Sequence, residues 1–268
     1  MSDGPSARRS TDRRPGGLTL DEVDLGPGVR AGFTDRRGGV SRPPYDALDL
    51  GAHVGDDEAA VRENRARLAA WAGCPVAFAD QVHGATTLVV ATPSAVPADA
   101  LRAVGAGDAL VTADPGVALA VLVADCVPVL LADDDAGVVG AAHAGRRGLV
   151  DGVLPSVVEA MVALGARPER VRAAVGPAIA GSSYEVPEAM RDEVAVLVPE
   201  ARATTRAGTP ALDLPRGAEA VLLRCGVGEV LRSRRDTWAD ADLFSFRRDG
   251  RTGRAAGVIR PLARRVAT

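Results

Sequence analysis

Lysine is absent from the 268 residues, so all 32 basic side chains are arginines. That absence excludes a Schiff-base lysine and the lysine of a Walker-type phosphate loop. Aromatic residues make up 3% of the chain, too few for a stacking platform that grips single-stranded nucleic acid. Cys74, Cys126 and Cys225 are an odd number without close spacing, so a reducing compartment is expected and a disulfide framework is not. The longest apolar run, Val117 to Leu131, is interrupted by Asp125 and Pro128 and is shorter than the roughly 20 residues that span a bilayer. Residues 1–17 are rich in Arg, Ser and Pro and lack an apolar core, unlike a secretory signal. A disordered leader is expected there, followed by a single domain over 18–268. The formal net charge of -3 provides no general basic field for nucleic acid or an anionic membrane. The expectation is a soluble, cytoplasmic protein with neither as a partner.

Histidine is also scarce. Of the three present, His83 and His143 read as residues of glycine-flanked turns, and Cys126 lies between them beside Asp125. Two imidazoles and a thiolate make a three-ligand set for zinc. Such a set leaves a fourth position open for water or substrate, as catalytic rather than structural sites do. The three residues lie far apart along the chain, unlike a compact metal knuckle, and a buried Cys is usually a small hydrophobe. Spacing and composition leave both readings open.

The apolar pattern predicts an α+β fold in one compact domain. Val29–Thr34 reads as a strand, and Asp56 or Asp57 caps a helix that runs to Ala72 and stops at Gly73. Short apolar segments follow at Val76–Ala79, Thr86–Ala91, Ala109–Thr112, Val117–Ala124, Val127–Ala132 and Val138–Ala142. Gly, Pro and Asp separate them, the signature of a mainly antiparallel or mixed sheet. One long helix is expected over Leu149–Leu164, a strand over Val171–Val175, and helices at Glu188–Leu197 and Pro215–Arg224. Leu243–Phe246 and Ala255–Ile259 read as closing strands.

Ten short motifs occur in order. They are Gly38-Gly-Val-Ser41, Pro44-Tyr45, Leu50-Gly-Ala-His-Val-Gly-Asp56, Asn64-Arg65, Gln81-Val-His-Gly84, Gly107-Asp-Ala-Leu-Val-Thr112, Ala124-Asp-Cys-Val-Pro-Val129, His143-Ala-Gly-Arg-Arg-Gly-Leu149, Gly176-Pro-Ala-Ile179 and Phe244-Ser-Phe-Arg-Arg-Asp-Gly250. Together they resemble the laccase-domain, or polyphenol oxidase-like, family of bacterial purine nucleoside phosphorylases, which includes peptidoglycan editing factors. The resemblance runs from about Arg30 to Ile259. It implies a four-layer α/β/β/α arrangement with two mixed sheets, usually as a monomer. It also implies zinc at His83, Cys126 and His143. The implied activities are phosphorolysis of adenosine, inosine and methylthioadenosine, together with adenosine deamination. A distinct branch removes a wrong amino acid from a UDP-muramyl precursor. Two departures stand out: Arg146 occupies the position of the family's Trp, and Asp49 that of its Asn.

The chemistry limits these readings further. A blue-copper centre alone consumes two His and a Cys, and a multicopper cluster needs several more His. Three histidines exclude true laccase chemistry, so Cu²⁺ enters only as an adventitious substitute for Zn²⁺. The loop after His143 offers backbone N–H groups and two guanidiniums at the start of a helix, the composition of an anion site. Arg147, which keeps the family identity, is the preferred phosphate ligand over Arg146, and Arg36 is a second. Gln81 is placed to bond a purine edge. Asp108 reads equally as a turn residue or a substrate contact. Asp125, within an apolar stretch, is either a structural or a catalytic carboxylate, and His53 is a candidate acid/base. Regular strand geometry would turn Asp125 and Cys126 to opposite faces. Cys126 is also a candidate nucleophile beside His143 for a peptidoglycan-editing hydrolase. A non-catalytic envelope accessory protein that merely retains a metal ranks below both enzymes.

Overall fold

Alternation of buried side chains along β-rich segments builds two sheets that share one apolar interior. The computed structural model describes residue 18 and residues 20–263, and the expected leader lies outside them. In chain order the elements begin with β1 (Leu20–Glu22), β2 (Val29–Thr34), α1 (Glu58–Ala72), β3 (Val76–Phe78), β4 (Thr87–Val89), β5 (Ala109–Thr112), β6 (Ala118–Val123), β7 (Val127–Asp133) and β8 (Val138–Ala144). They continue with α2 (Arg146–Asp151), α3 (Val153–Ala163), β9 (Arg172–Val175), α4 (Glu188–Leu197), β10 (Arg202–Thr204), β11 (Pro210–Leu212), α5 (Leu214–Arg224), β12 (Glu229–Arg232), α6 (Phe246–Asp249) and β13 (Ala255–Pro261).

One large sheet has the order β1-β2-β13-β6-β3 and the other β12-β9-β7-β8-β5-β4, while β10 and β11 form a separate antiparallel pair. Each large sheet mixes parallel and antiparallel pairs; β3 runs parallel to β6, and β13 antiparallel to it. Strand β6 shows why the sheets stack. Ala118, Ala120 and Leu122 face Leu68 and Trp71 of α1, while Leu119 and Val121 face Leu130, Val139 and Ala141 of the other sheet. In β7 the parity is used the same way: Leu130 and Ala132 point between the sheets, and Val129 and Leu131 point toward α3 and α5. Helices therefore cover both outer faces, giving the α/β/β/α layers within one α+β body. Among the described residues no helix is long and apolar enough to cross a membrane.

Helix α1 starts and stops where its capping residues require. The Asp57 carboxylate accepts the Ala59 N–H at 2.9 Å, and Gly73 ends the helix at φ +75°. Its inner face also carries buried polar groups. The Asn64 amide donates to Ser41 Oγ and to the carbonyls of Ala47 and Asp49, and Arg65 donates to the carbonyls of Leu50 and Ala100. These bonds tie the 38–51 loop to the helix.

Two expectations are corrected. The helix expected over Leu149–Leu164 is two helices, because Gly152 adopts φ +93° and breaks the ladder between α2 and α3. Leu243–Phe246 is not a strand: Leu243 and Phe244 are buried, and the Ser245 hydroxyl caps α6 by accepting the Arg248 N–H. Expected and observed boundaries agree closely for α1, α4, α5 and β13.

Candidate active site

Three elements deliver the candidate metal ligands to one place. Cys126 closes the turn between β6 and β7, His83 comes from the loop between β3 and β4, and His143 stands near the end of β8 rather than in the expected turn, because its backbone still pairs with Pro128 of β7. Strand β6 ends at Val123, and Asp125 adopts φ +92°. The alternation that would separate Asp125 from Cys126 therefore stops before it reaches them, and both line the same cavity.

Asp108, fully buried at the start of β5, organises the cluster. Its Oδ1 accepts His143 Nδ1–H and the His83 N–H, each at 2.9 Å. Its Oδ2 accepts the Gly84 N–H at 2.7 Å and the Val82 N–H at 3.2 Å. Wrapping three successive amides around one carboxylate holds His83 at φ +62°, a conformation that a non-glycine residue keeps only when its surroundings impose it. The bond to Nδ1 orients the His143 ring and directs Nε2 toward Cys126 and His83, as an outer carboxylate does for a metal-bound histidine.

The electrostatics favour a thiolate. Burial alone would push the Cys126 thiol up, but His143 and His83 beside it bring its pKa down to about 6. Burial likewise works against a charged His143, yet the Cys126 sulfur and Asp108 raise it to about 9. Desolvation opposes ionisation of Asp108, and its bonds to His143, Gly84 and His83 nevertheless lower its pKa.

The donor set fits a metal ion. His83 Nε2 lies 4.0 Å from Cys126 Sγ, and the ligand atoms of the three residues lie within 4.8 Å of one another. Zinc–nitrogen and zinc–sulfur bonds of roughly 2.0–2.3 Å need a contraction of only about an ångström. The backbone approaches closely at Gly145, where a Cβ would stand 3.0 Å from the His83 ring and 3.2 Å from Cys126 Sγ. Among the described residues this is the one group of three or more such ligands.

Above the cluster opens a cavity of about 540 Å³, large enough for a small organic substrate. His53 stands at its exposed rim, where burial of the ring together with Arg254 and Arg65 lowers the pKa. The Asp125 carboxylate accepts from Thr237 Oγ1 (2.6 Å), Ser245 Oγ (2.7 Å) and the Arg247 N–H (2.6 Å). Gln81 lines the cavity, but both ends of its amide are bonded to the Leu122 backbone.

The expected arginines do not converge here. Arg36 is outside the lining; its guanidinium donates to Asp46 and Ala241 and lies 5.0 Å over the Phe244 ring. Arg147 is exposed and also outside it, whereas its neighbour Arg146 lines the cavity. The first turn of α2 places the two side chains on different faces, which reading along the chain does not resolve. Tyr184, Phe246, Arg247 and Arg254 complete the pocket without having been singled out in the sequence. Phe246 and Arg247 fall within a recognised motif, while Tyr184 and Arg254 carry no local signal at all.

A family model described as multi-copper polyphenol oxidoreductase laccase matches residues 30–261. A Streptomyces coelicolor protein named purine nucleoside phosphorylase is 53% identical over 243 residues, covering 90% of this chain and 98% of that relative. A Corynebacterium glutamicum protein of the same name is 49% identical over 234 residues, covering 86% and 94%. The crystal structure of YlmD from Geobacillus stearothermophilus aligns with a TM-score of 0.87 at 35% identity, covering 97% of this chain and 100% of that one. That of a Neisseria meningitidis protein aligns at 0.81 and 37%, covering 91% and 99%.

Proposed function

This chain belongs to the multi-copper polyphenol oxidoreductase laccase family, and from that premise we propose that it is a zinc-dependent purine nucleoside phosphorylase that also deaminates adenosine. The observation that carries the reading is the Asp108-oriented His83–Cys126–His143 cluster at the base of a nucleoside-sized cavity. The name shared by its curated relatives supports the same substrate class. Oxidase chemistry of the multicopper kind has no support in three histidines.

In this reading adenosine, inosine or methylthioadenosine enters with its sugar toward the cluster. A phosphate oxygen bonds to C1′ as the C1′–N9 bond breaks, and the bonding pair leaves with the purine, which takes up a proton. Zinc, when bound, would supply Lewis acidity. His83, Cys126 and His143 hold the ion, with Cys126 as the thiolate. Asp108 keeps His143 in the tautomer that ligates. Asp125 acts through the loop it holds, keeping Arg247 and Thr237 beside the cavity. His53, uncharged at neutral pH by its lowered pKa, accepts a proton or a hydrogen bond at the rim. In deamination, where water adds at C6 of adenine and ammonia leaves, that basic nitrogen is the group suited to shuttle the proton from the water to the departing amine.

The test is chromatography of products after zinc-loaded protein is incubated with adenosine, with and without phosphate. Free adenine that forms only with phosphate is the expected result, and inosine formed in both conditions registers the deaminase. If neither product forms, the nucleoside reading fails, and a muramyl precursor bearing a wrong amino acid is the next substrate.

A further inference from the structure

Neither arginine that the sequence favours for phosphate reaches the cavity, yet three others do. Arg146, Arg247 and Arg254 line it, against the two carboxylates of Asp80 and Asp125. Asp125 already takes three hydrogen bonds from Thr237, Ser245 and Arg247. Among the described residues none of the three guanidiniums forms an ion pair. Arginines elsewhere on this molecule behave otherwise: Arg170, Arg191, Arg235 and Arg248 all sit against carboxylates. An unpaired guanidinium facing a cavity keeps its donors for something that enters it.

Arg146, Arg247 and Tyr184 line the same cavity. The Arg247 guanidinium lies 4.9 Å over the Tyr184 ring and spends one donor on the Glu185 carbonyl at 2.8 Å. The Tyr184 ring is partly buried, and among the described residues its hydroxyl has no hydrogen-bond partner. Burial and the nearby Cys126 sulfur raise the Tyr184 pKa, while the charges of Arg247 and Arg146 act in the opposite direction, and all three side chains line the one cavity. Arg254 is set apart by its bonds to the Thr252 and Gly253 carbonyls.

We propose that Arg146, Arg247 and the Tyr184 hydroxyl form a phosphoryl-binding subsite beside the metal cluster, with Arg146 as its principal ligand. The chemistry is that of a tetrahedral dianion, which accepts several charge-assisted hydrogen bonds at once. Inorganic phosphate is the occupant that phosphorolysis requires, and in this the inference rests on the phosphorolytic reading of the cavity. Because Arg146 directly follows Gly145, the loop that closes over His83 and Cys126 also carries the anion ligand. The two reactants are thereby brought to one place.

The experiment compares wild type with R146A, R146K, R247A and Y184F in two assays. Initial rates give separate KM values for phosphate and for adenosine, and calorimetric titration with inorganic phosphate, and separately with AMP, measures binding without turnover. The expected result for R146A is a phosphate KM raised about tenfold or more, with the adenosine KM within about twofold, partial recovery in R146K, and smaller increases in R247A and Y184F. A protein that shows no phosphorolysis, yet binds phosphate or AMP more weakly in R146A, keeps the subsite and discards the phosphorylase reading; tighter binding of AMP than of phosphate then identifies the substrate's own phosphoryl group as the occupant. Unchanged phosphate KM and phosphate binding in R146A and R247A overturns the inference while leaving phosphorolysis intact, and so does an increase confined to the adenosine KM. Absence of phosphate and AMP binding in the wild type also overturns it.

Discussion

Asp108 makes four hydrogen bonds with one carboxylate, and two of the three ligand residues depend on them. Asp108→Asn should weaken zinc binding by about 10- to 100-fold, read by titration with a competing chelator. Cys126→Ala should abolish stoichiometric zinc by elemental analysis, together with both nucleoside activities; full activity in that variant would remove the site assignment. Asp49 carries a different signature. It is fully buried, its Oδ1 accepts from Gly51 and Arg254, and its Oδ2 has no partner. Burial, reinforced by Asp56, raises its pKa to about 6. A raised pKa means that the folded state holds the proton more tightly, so the contribution is favourable below the usual carboxylate range and is lost as pH rises through 6. The loss is up to roughly 3 kcal/mol. Asp49→Asn should therefore gain stability relative to wild type between pH 5 and pH 8, measured by urea unfolding at each pH. A difference that does not change with pH contradicts the assignment. The sequence marked Asp49 as a departure from its resemblance, but its burial and its empty oxygen are properties of the assembled loop.

The segments that shape the cavity are short turns held by side chains. Asp125 pins the 237–247 segment through Thr237, Ser245 and the Arg247 backbone, and its own carbonyl accepts the Ile179 N–H. Removing both hydroxyls, as Thr237→Val with Ser245→Ala, leaves one hydrogen bond on a carboxylate that had three. The expected outcome is a stability loss of about 1–3 kcal/mol, and a substrate KM that rises more than kcat falls, because Arg247 and Phe246 lose their position. Helix α1 is a simpler case. Asp57→Ala should cost about 1 kcal/mol of stability without altering kinetics, since its cap lies away from the cavity lining. Capping and periodicity made α1, α4, α5 and β13 readable in advance. They misread the stretch after Leu149, where an apolar stripe continues across Gly152, and the stretch at Leu243–Phe246, where two buried residues precede a serine cap.

At the scale of the whole molecule, the candidate ligands come from strand β8 and from two loops anchored on the sheets, so on the proposed reading occupancy of the metal site and global stability are linked. Chelation should lower the thermal midpoint, and added zinc should restore it in proportion to ln(1 + [Zn]/Kd); a midpoint indifferent to chelator argues against a resident ion. The α+β class and the two-sided burial of the central strands were legible because alternation along a strand is a local property that hydrophobic burial selects directly. So was the pairing of His83, Cys126 and His143, which the fold brings within 4.8 Å of one another, since so few histidines and cysteines are present. Which face each arginine takes was not legible. Arg146 and Arg147 differ by one position, and a rotation of about 100° around α2 sends one into the cavity and the other to solvent. The same holds for Asp125 and Cys126, which share a pocket because β6 ends two residues before Asp125. Residue types and their periodicities are written along the chain and decide the layers and which side chains are available to ligate a metal. Strand ends, positive-φ turns and long-range hydrogen bonds exist only once the sheets are stacked, and they decide which side chains face the cavity.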